Sequence, residues 1–446
     1  MNTPIADFAA RYASSGISRL HMPGHKGCAE VPLSLYDLTE ISGADNLYMP
    51  EGIIAESEKN AALLFGSGRT LYSAEGSTQC VKAMLFLCLK ARKASNARPF
   101  ALAARNAHKS LIYAAALMDF DVDWLYPACE AGSLCACPIS AAELEKRLSA
   151  YERKPFCVFV TSPDYLGGTQ DIGALSAVCR AQGVPLIVDS AHGAYLKFTD
   201  EDMHPITLGA DMCCDSAHKT LPVITGGAYL HISKRAHPAF AEGAKQAMAL
   251  FGSTSPSYLI LESLDRANAY LASSLPDRIK RCALRTDALK SELKARGWSL
   301  YGTEPLKLTL ETDGYAVAAR LREGGVECEY ADADHVVLMF SPYNTDADYA
   351  RVSAALASPP PHTVLFLPPV RLERALSIRE AVFAQSETVS VLDAAGRVCA
   401  APAVSCPPAV PLAVSGEVIT PQAARALEAY GITRLEVVAK AQTASN

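Results

Sequence analysis

Two tryptophans in 446 residues, and 41 lysines and arginines against 47 acidic residues, are modest counts. The formal net charge of −6 leaves no basic surplus with which to neutralise phosphates, so a nucleic-acid partner is not expected. Long apolar runs are also missing. The stretches near 155–161 and 184–188 are far too short to span a bilayer, so no membrane association is expected. The N-terminal Met1-Asn2-Thr3-Pro4-Ile5-Ala6-Asp7 lacks a basic region followed by an apolar core, so no secretion signal is read there. No internal repeat or low-complexity tract is evident. Cysteine is abundant by contrast, with 14 scattered along the chain. Without export these read as reduced thiols, and the expected location is cytoplasmic. Cys129, Cys135, Cys137 and the pair Cys213-Cys214 lie closest together. Cys135 and Cys137 are too tightly spaced for the usual zinc pair, and no metal is expected.

What is present is a large core. Half the residues are hydrophobic and a fifth are charged, which fits a globular protein of two or three domains. From about residue 70 to 235 short apolar runs alternate with helix-like stretches. The candidate strands are 100–104, 124–126, 156–161, 185–189, 212–215 and 227–232. Helices are expected over 77–92, 107–118, 140–153 and 172–182, and Ser140 with Glu143 has a capping-box form. Apolar strands joined by helices predict an α/β fold with a doubly wound, mainly parallel sheet. Ligands of such sheets sit at the carboxyl ends of strands. A smaller α+β region follows, with a helix over 278–296, strands over 306–311 and 336–340, and a helix over 315–324. The proline-rich Ser358–His362 reads as a rigid spacer. Beyond it come a helix over 371–383 and a proline-rich loop over 402–411. The expected domains are 1–250, 251–357 and 363–446.

The chemistry-bearing residues fall at strand ends. Val184-Pro-Leu-Ile-Val-Asp189 is a buried strand closed by a carboxylate, which needs a partner because an unpaired buried charge is expensive. Asp215-Ser216-Ala217-His218-Lys219-Thr220 closes the next strand and carries a lysine. A strand-end aspartate followed by a strand-end lysine is what pyridoxal 5′-phosphate (PLP) chemistry requires. The lysine forms a Schiff base with the aldehyde, and the aspartate keeps the pyridine nitrogen protonated. Gly76-Ser77-Thr78 opens a helix with backbone N–H groups, two hydroxyls and the positive end of the helix dipole, a cradle for phosphate. Ser216 and His218 flank the lysine and can also reach a phosphate. His108, after the strand at 100–104, is placed to stack on the cofactor ring. Lys109 is a rival Schiff-base lysine, less favoured because it lacks such flanking groups. Ser162 is placed to touch ring substituents. His21 and His25 lack a third ligand of definite spacing for a metal.

In order and spacing, the motifs resemble the bacterial Orn/Lys/Arg decarboxylases of the aspartate-aminotransferase fold (fold type I). The resemblance is carried by His21–Gly27, Asp37–Glu40, Gly76–Thr78, Arg105–Ser110, Asp189–Ala194, Ser216–Leu221 and Ser253–Tyr258. Toward the C-terminus it continues in Arg379–Ala381, Gly396-Arg397 and Cys406–Pro411. The chain is similar to the family's short form, without a receiver-like N-terminal domain. The resemblance implies that Lys219 is the cofactor lysine and that Asp189 pairs with the pyridinium. Ala191 would pack on one ring face and His108 on the other. Ser77, Thr78, Ser216 and His218 would hold the phosphate. Thr254 and Ser255 would reach the phosphate of a neighbouring subunit, so a homodimer or higher homo-oligomer with a shared active site is implied. Three departures stand out: Ser190 replaces the family's usual glutamate, Asn46 a usual aspartate, and Ala409 a usual glycine.

The expected reaction is decarboxylation of arginine, lysine or ornithine to the amine and carbon dioxide, with arginine placed first. Lys219 or His192 would return a proton to the α-carbon. Asp45, Glu40 and Glu380 are candidates for anchoring the substrate's distal cation. The alternatives are an aminotransferase or lyase reaction on the same fold, or a non-catalytic homologue. An aminotransferase would fix the α-carboxylate with a C-terminal arginine, for which Arg371, Arg374, Arg379 and Arg397 are available.

Overall fold

The computed structural model describes residues 1–92, 96–127, 135–361, 371–402, 404–406 and 410–440. Cys129, His362, Ala409 and the start of the expected third domain lie outside the described residues. The chain divides into two compact units, Met1–Lys93 with Asp171–Leu284, and Ala94–Gln170 with Arg285–Asn446.

Up to residue 232 helices and strands alternate. Helices α1 (Pro4–Ala13) and α2 (Ile53–Phe65) precede strand β1 (Arg69–Ser73) and helix α3 (Gly76–Ala91). Then follow β2 (Phe100–Ala104), α4 (Lys109–Met118), β3 (Asp121–Leu125), α5 (Ala141–Ser149) and β4 (Val158–Thr161). Next come α6 (Ile172–Ala181), β5 (Leu186–Asp189), α7 (Pro205–Leu208), β6 (Met212–Asp215), α8 (Ala217–Thr220) and β7 (Ala228–Ile232).

In the first unit the strands lie in the order β1-β7-β6-β5. β5 and β6 are parallel, with Val188 opposite Cys213 and Asp189 opposite Cys214. β7 runs antiparallel to both β6 and β1. Every residue of β5, β6 and β7 is buried. A strand covered on both faces reads as an unbroken apolar run, which is why β5 stands out in the sequence. β1 does not stand out. Its sequence, Arg69-Thr70-Leu71-Tyr72-Ser73, is half polar, and its buried polar groups bond within the fold instead of facing water.

In the second unit β2 pairs in parallel with β3 and β4. A separate antiparallel sheet has the strand order 330–331, 335–339, 307–311, 299–301. Several boundaries differ from the sequence expectation. β3 begins at Asp121, three residues early, because an edge strand with half-buried positions tolerates Asp121 and Asp123. The helix expected over 371–383 is confined to Ile378–Phe383, where Ser377 and Glu380 form a capping box. Upstream the backbone is extended, and Arg374 bridges to Glu417. At α5, Ser140 caps the Glu143 N–H, but only that half of the expected reciprocal pair forms.

Candidate active site

The site is built at the carboxyl ends of β5 and β6. β5 ends in Asp189, which is 3% exposed. Its Oδ1 accepts the Ala191 N–H at 3.2 Å and the Cys214 thiol at 3.6 Å. The thiol is held in place by register, because Cys214 lies directly across from Asp189 on the same face of the sheet. Burial, then the Asp189 carboxylate, push the Cys214 thiol far above its ordinary range, so it stays a donor. No cationic side chain pairs with Asp189 among the described residues.

β6 runs directly into the one-turn helix α8, which carries His218 and Lys219. Lys219 is solvent-accessible. Its Nζ lies 3.0 Å from Nε2 of His192, a 5% exposed imidazole three residues beyond Asp189. Two strand ends thus converge through an amine and an imidazole. His218 bonds through Nδ1 to the Gly227 carbonyl at 2.9 Å, and burial lowers its pKa. That contact leaves Nε2 of the ring for another partner.

The same turn is tied to helix α3. The Ser216 hydroxyl donates to Ser77 Oγ at 2.8 Å. No side chain caps α3; the Gly76 N–H is taken by the Gly226 carbonyl at 2.7 Å, and the next amides of the first turn have no intrahelical acceptor. Gly76 adopts φ +70°, a conformation that glycine takes without strain. The structure therefore brings Ser77, Asp189, His192, Ser216, His218 and Lys219 together, with Thr78 and Ala191 adjacent in sequence. Thr254 and Ser255 lie in an exposed loop, anchored where the Ser253 N–H reaches Glu75 Oε1 at 3.3 Å. His108 belongs to the second unit. It caps α4, its Nδ1 accepting from the Ser110 N–H at 3.2 Å. Ser162 accepts the Gln170 N–H there, as a structural turn residue does.

These groups suit PLP. Asp189 is a buried carboxylate without a cation of its own, and a protonated pyridine nitrogen would supply one. The open first turn of α3 beside Ser216 offers amides and hydroxyls to a phosphate. The acidic candidates for a distal anchor differ in how free they are. Asp45 accepts backbone N–H groups from Asn46, Glu51, Gly52, Ile54 and Ala55. Burial would raise its pKa, but those bonds together lower it. Glu380 is committed to Ser377. Among the described residues, Glu40 accepts only the Asn46 amide, at 2.7 Å.

Sequence reasoning passed over three side chains that shape these strand ends: Cys214 on Asp189, and His204 and His231 on Asp215. The histidines are distant in sequence and carry no motif. Only the antiparallel register, which sets His231 beside Cys213, brings His231 near Asp215.

A buried strand-end carboxylate, a lysine on the following turn and an uncapped helix define the class, an α/β enzyme of PLP fold type I. Comparison with known proteins agrees. The profile of the Orn/Lys/Arg decarboxylase major domain matches residues 3–310, and that of the C-terminal domain matches 351–434. The chain belongs to the Orn/Lys/Arg decarboxylase family and is a PLP-dependent decarboxylase. It is 28% identical to Bacillus subtilis YaaO, an uncharacterised protein, over 96% of this chain and 94% of that one. It is 26% identical to an arginine decarboxylase of Halalkalibacterium halodurans, over 94% of this chain and 91% of the other. Among solved structures, the constitutive lysine decarboxylase of E. coli superposes with a TM-score of 0.77 at 17% identity, covering 98% of this chain and 82% of that one. A Francisella novicida lysine decarboxylase gives 0.78 at 17%, covering 98% and 81%. None of the helices described is long and apolar enough to cross a membrane.

Proposed function

We propose that this enzyme binds PLP at Lys219 and decarboxylates arginine in preference to lysine or ornithine. The observations that support the cofactor reading are a buried Asp189 with no cationic partner among the described residues and a His192 whose Nε2 lies 3.0 Å from the Lys219 amine. Asp189 would hold the pyridine nitrogen, and Ser77, Thr78, Ser216 and His218 the phosphate. Ala191 would pack on one face of the ring. When bound, PLP would supply an electron sink for the pair left at the α-carbon as carbon dioxide departs. The chain's own residues orient and protonate. His192 Nε2 holds the Lys219 amine in place, and the two share the proton returned to the α-carbon. Glu40, the least committed of the acidic candidates, would anchor the substrate's distal cation. The preference for arginine rests on the arginine decarboxylases among the relatives and on a guanidinium's fit to a carboxylate fork.

We further infer a homodimer with a shared site in the cytoplasm. Ile17, Leu20, Met22, Leu33, Leu35 and Met49 are exposed within the first fifty residues, apolar side chains that a second copy would bury. An aminotransferase reading is weaker. Arg374 pairs with Asp121, Arg379 bonds the Ala116 carbonyl, and Arg397 pairs with Glu387, so three of the four candidate arginines are already engaged.

The test has two arms. Incubation with arginine, lysine and ornithine in turn should release carbon dioxide and amine, fastest from arginine. Keto acid as the product would overturn the reaction, and faster turnover of lysine or ornithine would overturn the preference. In the second arm, Lys219→Ala should lose both turnover and the visible absorbance that PLP gives the wild type, with an unchanged far-ultraviolet circular dichroism spectrum.

A further inference from the structure

The far side of the same strand end holds a second buried cluster. Side chains alternate along β6, so Cys214 faces Asp189 while Cys213 and Asp215 point to the other face. On that face His204 Nε2 lies 2.9 Å and His231 Nε2 3.0 Å from one oxygen, Asp215 Oδ2. All three residues are 0% exposed. Burial would push the Asp215 carboxyl up, but the His204 imidazole and the hydrogen bonds from both rings hold it well below the usual carboxylate range. The opposite oxygen, Oδ1, is buried without a partner. The two imidazoles are therefore what holds this carboxylate.

The three ligand atoms lie close enough to suit a metal ion. The hydrogen bonds point elsewhere, because every ring nitrogen already has a protein partner. His204 Nδ1 accepts the Ile206 N–H at 3.4 Å, which caps α7 and leaves the proton on Nε2. His231 Nδ1 bonds Thr70 Oγ1 at 2.8 Å, and Thr70 in turn bonds Ser67. Phe65 packs on both rings, with centroids 5.2 Å and 4.4 Å away. The cluster ties β1, β7 and α7 to one point, the residue immediately before Ser216. From that point the chain turns into α8, places the Ser216 hydroxyl on Ser77, and presents Lys219.

We propose that His204 and His231, by clamping Asp215 from behind the sheet, are positioning residues that fix the Lys219 turn for cofactor attachment. The inference rests on the reading of Lys219 given above. Loss of one donor leaves a buried charge with a single bond, and the carboxylate shifts to find another partner. The turn that follows it moves too, and with it the amine and Ser216. Neither histidine touches substrate or cofactor in this account.

The experiment compares His231→Leu with His231→Gln. A glutamine carboxamide carries an N–H close to where imidazole Nε2–H stands, so it can still donate to Asp215. A leucine fills the space and cannot. Apoprotein of each is titrated with PLP and followed by the visible absorbance of the lysine–PLP imine, with thermal melting as the control for folding. The expected result is an apparent PLP dissociation constant raised about tenfold or more in His231→Leu and restored to near wild type in His231→Gln. The pH midpoint of the absorbance change should shift in the leucine variant only. Wild-type PLP affinity and an unshifted midpoint in a folded leucine variant would overturn the clamp. So would equal impairment of the two folded variants. Should leucine prevent folding, the glutamine variant decides: weakened PLP binding there sinks the proposal and wild-type binding supports it. Wild-type apoprotein that forms no imine would instead overturn the cofactor reading itself.

Discussion

Asp189 and Asp215 are both strand-end aspartates, on neighbouring strands, and both are buried. Their surroundings are opposite. Asp215 takes two imidazole N–H donors on one oxygen, both from within the protein. Asp189 takes one backbone N–H and one weakly donating thiol. A buried carboxylate normally recruits a cation or several strong donors, since desolvation alone costs several kcal/mol. The fold supplies such donors to the aspartate behind the sheet and withholds them from the one in front. Asp189 is therefore the carboxylate left for a cation from outside the chain, and Asp215 is the one built into the scaffold.

Substitution separates the two. Asp189→Asn should keep the fold and lose turnover by about two to four orders of magnitude, the equivalent of removing one partner from a buried charge pair. Asp215→Asn can set its amide oxygen where Oδ2 stands, but it removes the charge from both imidazole bonds and puts an unpartnered NH2 in the buried Oδ1 position. It should cost about 3–5 kcal/mol of stability and show as a large fall in melting temperature. Steady-state rates with thermal melts on both variants check this. A destabilised Asp189→Asn with normal turnover, or the reverse pattern at Asp215, would dissolve the distinction.

How much of this was legible in the sequence follows from the same contrast. Asp189, Lys219 and Gly76-Ser77-Thr78 lie at the ends of strongly apolar strands or at a helix start, and local pattern reveals such places. Strand β5 was found within one residue because every position in it is buried. The resemblance to a known family then joined these points. The clamp behind the sheet was not legible. His204 sits before a four-residue helix and His231 inside a strand, and neither position has a periodic signature of its own. Their role comes from antiparallel register, a long-range property that a local reading does not contain. β1 was missed for a related reason, since Thr70 and Ser73 look like surface residues until their partners across the fold are known.

A third carboxylate sharpens the comparison by having neither arrangement. Glu262 is 5% exposed, its Oε1 is buried without a partner, and Arg266 lies 3.9 Å from the other oxygen. Burial raises its pKa to about 7, against an opposing pull from Arg266. The folded carboxyl thus keeps its proton to about pH 7, whereas an unfolded one releases it near 4.5. Its contribution to stability is complete below the lower value and is lost as pH rises through the upper one. Glu262→Gln removes the ionisable group and should raise the melting temperature by a few degrees at pH 8, with little change at pH 4. Melting curves across that range check it, and an equal shift at both ends would mean the charge is not the cause.

The smallest effect belongs to the helix start, where geometry rather than charge is at stake. Gly76 sits at φ +70°, and a Cβ added there would meet nothing within 4 Å. The cost of Gly76→Ala is then purely conformational, about 1–2 kcal/mol for holding an L-residue left-handed. If the turn resists, that cost appears as stability, and the Ser216–Ser77 bond and PLP affinity stay as they were. If the turn instead relaxes toward a right-handed conformation, the first amides of α3 rotate away from the Lys219 turn. PLP affinity then falls while the melting temperature holds. Measuring both quantities on one variant tells whether the phosphate cradle is rigid by backbone choice or is held by Ser216 from across the sheet. Because that serine directly follows the clamped Asp215, we expect the first outcome, a loss of stability with affinity retained.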